Sequence, residues 1–308
     1  MRHSISSSVL ILISTVLTAC AQNPPPQGFI ALRDVDYAGT GNARQKLDLY
    51  LPEKRPEKPL PLIVYVHGGG WEMGDKSDTG LLFQLIEKGG YAGASLGYRL
   101  SQEARWPAQI HDVKAALRWL AANADKHGID ATRIGLAGIS AGGQLVSLLG
   151  TSQGVAELEG EIGAAKGATP KIRCVANFCG PANFLTFAGK GSAIDPEEPR
   201  TAITRLFGGP LSQHQAAARL ASPVTHISRD DPPFLHIHGT ADPLVPYAQA
   251  QEFDAALKKA GISSTLLTGK DAPHVFFSAD LRDKMQTFFD KHLRGKAGEV
   301  KEGLISLP

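Results

Sequence analysis

The segment RIGLAGISAGGQLVSLL, residues 133–149, joins two apolar runs through a cluster of small residues around Ser140. The first run is short enough for a buried strand, and the second continues as a helix. Gly138, Ser140 and Gly142 form the pattern G-x-S-x-G, in which a strained turn between strand and helix exposes the serine hydroxyl. Glycines are needed there because the strand and the helix approach too closely for side chains. Ser140 is therefore a candidate nucleophile; the alternative is a glycine-rich turn that only packs a helix on a sheet.

Short apolar runs that end in glycine or a turn recur along the chain. They cover residues 62–68, 91–98, 133–138, 174–180, 234–239 and 264–269. Strands that are apolar on both faces are typical of a buried parallel sheet, and helical patterns lie between them, most clearly from Pro107 to His127. This alternation predicts an α/β fold with a mostly parallel, doubly wound sheet and helices on both faces. Residues 29–53 predict an antiparallel hairpin that precedes it.

The composition is that of an ordinary globular protein. The chain has 308 residues, a formal net charge of +2 and 43% hydrophobic residues. The near-balanced charge, with no basic block, argues against nucleic acid as a partner. We expect residues 151–171 and 181–222 to be insertions over the sheet, and residues 296–308 to form a loosely held tail.

The N-terminus predicts export and a lipid anchor. Residues 1–19 combine a charged start with an apolar stretch, as in a signal peptide, and residues 20–28 are typical of a short, stiff tether. LTAC, residues 17–20, resembles the bacterial lipobox, which implies lipidation of Cys20 and a membrane as partner. Ala21 and Gln22 lack the aspartate associated with inner-membrane retention, so the outer membrane of the cell envelope is favoured. A plain secreted protein or an incidental cysteine is the alternative.

The other two cysteines do not indicate a disulfide or a metal site. Cys174 and Cys179 lie in one predicted strand, about 16 Å apart, which is too far for a disulfide. We expect them to be buried small apolar residues. His236 and His238 share one face of a strand without further ligands, so no metal is expected.

The sequence HGGGW, residues 67–71, follows the first central strand. Consecutive glycines leave backbone N–H groups uncovered, as an oxyanion hole requires. We assign its donors to Gly69, Gly70 and Ala141. His67 is expected to brace the loop, and Trp71 either lines the substrate pocket or anchors the loop from below.

A serine hydroxyl needs a base, and that base needs a carboxylate. Asp242 follows one central strand in HGTADPLVP (238–246), and His274 follows the last strand in DAPHVFF (271–277). Beyond the carboxyl ends of the strands these residues can meet Ser140. Taken singly, Asp242 can be a turn former and His274 a loop histidine, but their order after the correct strands favours a triad. Phe276 is assigned with Trp71 to the substrate pocket.

With these motifs, and with GYRLS (97–101) and WPAQIHDVKAALRWL (106–120), about residues 29–294 resemble the α/β-hydrolase superfamily, and the predicted hydrolase domain covers residues 29–295. Within it they are most similar to BD-FAE and hormone-sensitive-lipase-like esterases. The resemblance implies an α/β-hydrolase fold and a serine esterase, without cofactor, for short or aromatic acyl esters such as acetyl or feruloyl groups on polysaccharides. Since the signal and tether account for the N-terminus, little or no cap domain is expected. An arylformamidase, a prolyl-oligopeptidase-like peptidase and a catalytically silent carbohydrate-binding scaffold remain alternatives.

Overall fold

The computed structural model describes residues 23–54, 56–187 and 192–307. The predicted signal peptide and Cys20 lie outside the described residues. Within them, nine strands form one sheet in the order β1-β2-β4-β3-β5-β6-β7-β8-β9. The strands are β1 (Phe29–Asp36), β2 (Lys46–Pro52), β3 (Leu60–Val66), β4 (Ala92–Leu96), β5 (Ile129–Ile139), β6 (Ile172–Phe178), β7 (Phe234–Gly239), β8 (Ser264–Gly269) and β9 (Gly303–Leu304).

The directions of the strands confirm the predicted fold class. β1 and β2 form the antiparallel hairpin, β2 continues antiparallel to β4, and every pairing from β4 to β9 is parallel. The helices of the described chain are α1 (Gly80–Ile86), α2 (Ala108–Ala122), α3 (Ala124–His127), α4 (Ala141–Thr151), α5 (Ala156–Glu159), α6 (Ala202–Phe207), α7 (Gln215–Ala221), α8 (Ala248–Lys259) and α9 (Ala279–Arg294), with two short 3₁₀ turns.

Helices cover both faces of the sheet. In β3, Val64 and Val66 belong to one core with α2, α4 and α8, whereas Ile63 and Tyr65 belong to the other core with α1 and α9. Pro61 through Val66 are all buried, which is why this strand lacks the polar alternation of a one-sided sheet. No helix of the described residues is long and apolar enough to cross a bilayer.

The position of β3 fixes where a ligand can bind. The chain places β4 on one side of β3 and β5 on the other, so the direction of winding reverses between β3 and β5. Such a switch point opens a crevice beyond the carboxyl ends of the strands. The glycine loop after β3 and Ser140 after β5 therefore lie at the same crevice.

The C-terminal tail differs from its prediction as a loosely held segment. Gly303 and Leu304 pair in parallel with β8, and the side chain of Ile305 is buried. The Ser306 amide also donates to the Asp280 carboxylate at 2.9 Å. A strand of two residues has no sequence periodicity, so only the packing shows it.

The insertion at residues 151–171 packs against α2. Its residue Glu159 accepts from Lys114 Nζ at 2.6 Å, and its backbone carbonyl accepts from Arg118 Nη1 at 2.9 Å. Both cations project from α2. The described parts of the second insertion, residues 181–187 and 192–222, contribute Ile194 and Ala202 to the crevice.

Candidate active site

Ser140 occupies a strained turn between β5 and α4. Its φ of 55° and ψ of −119° lie in a region that residues with a Cβ rarely adopt. The Ser140 amide donates to the Phe178 carbonyl at 2.8 Å, which ties the turn to β6. A Cβ on Gly138 would lie 2.3 Å from the Gly142 carbonyl oxygen, and one on Gly142 would lie 2.1 Å from that of Val66. Close approach of backbone segments is thus the reason for the two glycines of the motif.

The glycine loop after β3 lies against this turn. A Cβ on Gly68 would be 2.9 Å from the Ile139 carbonyl oxygen. Gly69 and Gly70 have φ values of 106° and 59°, which favour glycine. Ala141 is the first residue of α4, so its N–H has no carbonyl partner one helical turn back. The assignment of these three amides to an oxyanion hole stays a prediction.

His67 and Trp71 hold the loop in place. The buried His67 donates from Nδ1 to the Gly68 carbonyl at 2.7 Å, and its ring stacks on Tyr98. Burial lowers the pKa of His67 to about 4, so the ring is neutral at neutral pH. Trp71 is buried, and its Nε1 donates to Gln144 Oε1 at 3.0 Å. Of the two roles considered for Trp71, the structure shows that of an anchor beneath the loop.

Asp242 and His274 form a hydrogen-bonded pair beyond β7 and β8. His274 Nδ1 lies 2.7 Å from Asp242 Oδ2, and Asp242 Oδ1 accepts from the amides of Leu244 and Val245 at 2.8 and 3.0 Å. Burial alone would raise the pKa of Asp242, but the donors around its carboxylate outweigh burial and hold this pKa well below its ordinary value. The carboxylate therefore fixes the proton of His274 on Nδ1. The lone pair of Nε2 is left to act as a base.

Sequence reasoning missed two side chains that contact this pair. His238 Nε2 lies 3.0 Å from Asp242 Oδ2 and 2.9 Å from the Val245 carbonyl oxygen. Both neighbours are acceptors, so Nε2 carries the proton and shares it between them. Cys179 is buried as predicted, but its Sγ lies 3.8 Å from His274 Nε2. The position of His238, four residues before Asp242, was the available sequence signal for the contact between these two residues. No local sequence pattern indicated the contact between Cys179 and His274.

Cys179, Asp242 and His274 also place possible metal-ligand atoms within 4.8 Å of one another. A thiol binds a metal as the thiolate. Burial, with the nearby charge of Asp242, raises the pKa of the Cys179 thiol well above its usual value. The donor set therefore suits a base and its carboxylate better than a metal ion.

A cavity of about 600 Å³ brings the predicted residues together. Ser140, His274 and the glycines of the loop all line it. Ile194 and Ala202, from the insertion at residues 181–222, form part of its wall, so this insertion covers one side of the crevice. The cavity is the space in which a substrate would reach the serine, the imidazole and the loop at once.

The assignment of Phe276 to the pocket is wrong. Its ring is buried against Phe178 at a centroid distance of 5.1 Å. A Cβ on Gly269 would lie 2.6 Å from this ring, so the ring occupies space that only a glycine leaves open. The neighbouring Val275 and Phe277 line the cavity instead and are partly exposed.

Comparison with known proteins agrees with this geometry. The BD-FAE family model matches residues 47–257, which include the glycine loop, the serine turn and Asp242. The chain belongs to the BD-FAE family. This confirms the predicted resemblance to an esterase branch of the α/β-hydrolases.

Proteins similar to this chain include a named esterase and a solved carbohydrate esterase. Esterase LipC of Mycobacterium tuberculosis is 30% identical over 79% of this chain and 59% of its own length. The chain thus spans less than two thirds of this curated relative. A solved carbohydrate esterase from gut microbiota, in truncated form, is 28% identical with a TM-score of 0.81, covering 88% of this chain and 100% of that one. A bifunctional GH43-CE protein of Bacteroides eggerthii is 31% identical with a TM-score of 0.77, covering 85% of this chain and 35% of that one.

Proposed function

We propose that this protein is a serine carboxylesterase that cleaves short or aromatic acyl esters carried on carbohydrate. The observation that supports this most is the shared cavity, in which a strained serine faces the same space as an Asp–His pair. In the proposed reaction, Ser140 Oγ attacks the ester carbonyl carbon while His274 Nε2 takes its proton. The proton then passes to the departing alcohol oxygen, which leaves an acyl-enzyme.

The second step repeats the first with water as the nucleophile. His274 takes a proton from the water, the new tetrahedral centre collapses, and the carboxylic acid leaves as Ser140 regains its proton. Amides of Gly69, Gly70 and Ala141 are the proposed donors to both oxyanions. Loss of one such donor typically costs about 2.7–4 kcal/mol of transition-state stabilisation.

Carbohydrate as the carrier is supported by two structural relatives, one named as a carbohydrate esterase and the other as a bifunctional GH43-CE protein. The cavity adds a second argument. Its outer wall carries the partly exposed side chains of Leu244, Val275 and Phe277, an apolar rim suited to an acyl group or the face of a sugar.

A hydrolysis panel tests this function. We expect turnover of p-nitrophenyl acetate, acetylated xylan and methyl ferulate, with activity that falls as the acyl chain reaches ten carbons. A higher turnover of an N-formyl aromatic amine, or of a Pro-linked peptide, would instead indicate an arylformamidase or a peptidase.

A fluorophosphonate probe tests the nucleophile directly. Labelling should disappear in Ser140→Ala and persist in Ser147→Ala; Ser147 is a buried serine of α4 whose hydroxyl has no hydrogen-bond partner among the described residues. A chain that hydrolyses none of the panel and takes up no label would be a catalytically silent scaffold, and the proposal would be wrong.

We also propose that Cys20 carries lipid and tethers the domain to a bacterial membrane, with the outer membrane favoured. The support is the lipobox-like LTAC at residues 17–20. In cells fed radioactive palmitate, the wild-type chain should be labelled and should sediment with the envelope. Label in Cys20→Ser equal to that of the wild type would contradict the proposal.

A further inference from the structure

A second cavity, of about 350 Å³, lies beside the catalytic cavity and is basic. We call it the arginine cavity; Arg105, Arg200 and Arg205 line it. Among its described lining residues, these arginines are the charged ones, and none is acidic. A cavity whose fixed charge has one sign favours a ligand of the opposite sign.

Two of the three arginines are available to a ligand. Arg205 Nη1 donates to Glu72 Oε2 at 2.6 Å, so its charge is already paired. Within the described residues, Arg105 and Arg200 form no ion pair. Each guanidinium offers several N–H donors in a planar fork that matches a carboxylate or a sulfate.

The fold places Arg105 in the cavity. The Trp106 amide donates to the Leu206 carbonyl at 3.0 Å, which holds this segment against the end of α6. A Cβ on Gly208 would lie 2.5 Å from Arg105 Nη1, so the side chain of Arg105 passes directly over the Gly208 backbone.

A thin wall separates the arginine cavity from the catalytic cavity. Glu72 lines the catalytic cavity, while its partner Arg205 lines the arginine cavity. On α6, Ala202 faces the catalytic cavity and lies 3.1 Å from where a Cβ on Gly70 would be. Gln102, which lines the arginine cavity, donates to the Glu72 carbonyl at 3.0 Å. The loop proposed to hold the oxyanion is therefore itself part of this wall.

From this arrangement we propose that the arginine cavity binds an anionic substituent on the carbohydrate part of the ester substrate. The inference rests on the proposed function. In the proposed complex the short acyl group lies within the catalytic cavity. The part of the substrate that extends past Glu72 is therefore carbohydrate. The anion is a uronic acid carboxylate or a sulfate ester, since guanidinium groups bind both.

Matched acetylated xylo-oligosaccharides test the proposal: one neutral, one with a glucuronic acid branch and one with a sulfate. At low salt we expect kcat/KM for at least one acidic substrate to exceed that for the neutral one by about tenfold, from one charge-assisted contact. The preference should shrink in about 0.5 M salt, since exposed charges are screened. The acidic substrate that is preferred identifies the anion.

The variants Arg105→Gln and Arg200→Gln should each reduce this preference and leave p-nitrophenyl acetate hydrolysis unchanged. Arg229→Gln, an exposed arginine outside the cavity, is the control and should keep the preference. Equal rates on acidic and neutral substrates in the wild type would overturn the proposal, as would an undiminished preference in both cavity variants. A chain that hydrolyses p-nitrophenyl acetate but none of the oligosaccharides would overturn it too.

A binding measurement separates failure of this inference from failure of the proposed function. Calorimetry with Ser140→Ala and unacetylated acidic oligosaccharides needs no turnover. We expect binding that weakens about tenfold when Arg105→Gln is added. Absence of binding, or binding that is indifferent to Arg105 and Arg200, would refute the arginine cavity even if esterase activity is found.

Discussion

Replacing His238 by phenylalanine should impair catalysis although the residue does not line the catalytic cavity. Its Nε2 proton lies between the Val245 carbonyl and Asp242 Oδ2, the same oxygen that accepts from His274. Phenylalanine keeps the ring volume and removes the donor. A hydrogen bond to a charged group contributes about 1.5–3 kcal/mol. If removing this hydrogen bond destabilises only the transition state, kcat falls about 10- to 150-fold. Since His238 acts through the carboxylate, KM should stay within about twofold.

Steady-state kinetics on p-nitrophenyl acetate at 25 °C and pH 7.5 measures both constants. His238→Gln supplies an amide N–H in place of the imidazole one and should recover part of kcat. His236→Phe is the matched control: the residue shares a face of β7 with His238, and both its ring nitrogens lack a hydrogen-bond partner among the described residues. If His238→Phe retained kcat within twofold, or if the two phenylalanine variants lost equal activity, His238 would not position the carboxylate.

Three further predictions concern stability, each measured by urea unfolding. Ser140→Gly and Ser140→Ala should both be inactive, but the glycine variant should be more stable by about 0.5–2 kcal/mol, because φ is 55° there; equal midpoints would contradict the strain. Gly142→Ala should destabilise by more than about 3 kcal/mol, since its Cβ would meet backbone at 2.1 Å, whereas Gly167→Ala, with open space around it, should stay within about 0.5 kcal/mol. Burial lowers the pKa of His236 to about 4, so between about pH 6.5 and 4 the unfolded chain binds more protons than the folded chain. The free energy of unfolding therefore decreases as the pH is lowered through that window. From pH 7 to 5, His236→Phe should therefore lose roughly 2 kcal/mol less than the wild type, and parallel losses would show that His236 does not titrate in this way.

The elements that could be predicted from sequence are those fixed by local requirements. An unbroken apolar run such as residues 62–66 has to be buried on both faces, and this decides the parallel sheet. The turn at Ser140 needs glycine at 138 and 142 because neighbouring backbone lies within 2.3 Å of where their Cβ atoms would be. Once strands are placed, the positions of Asp242 and His274 at one sheet edge follow from parallel topology.

The features that could not be predicted depend on contacts between distant segments of the chain, or on which of two neighbouring residues faces the cavity. Val275, Phe276 and Phe277 are consecutive apolar residues in a loop, and no period distinguishes the ring that faces the cavity from the ring that faces the core. Cys179 reaches His274 across 95 positions of sequence, through the pairings of β6 with β7 and of β7 with β8. Arg105 and Arg200 are similarly remote from each other, so their shared cavity is visible only in three dimensions.

Several residues with strained backbone lie at the same edge of the sheet as the candidate active site. Among the described non-glycine residues with positive φ, four follow directly or closely on central strands: Trp71, Ser140, Cys179 and Asp271. Such conformations cost about 1–3 kcal/mol each and persist only where surrounding structure over-determines them. Here the hydrogen bonds from Ser140 N to the Phe178 carbonyl and from Cys179 N to the Ile237 carbonyl extend the parallel ladder by one residue past the strand ends. The buried sheet thus holds its own edge in conformations that isolated loops would leave, and this fixes the orientation of Ser140, the proposed nucleophile.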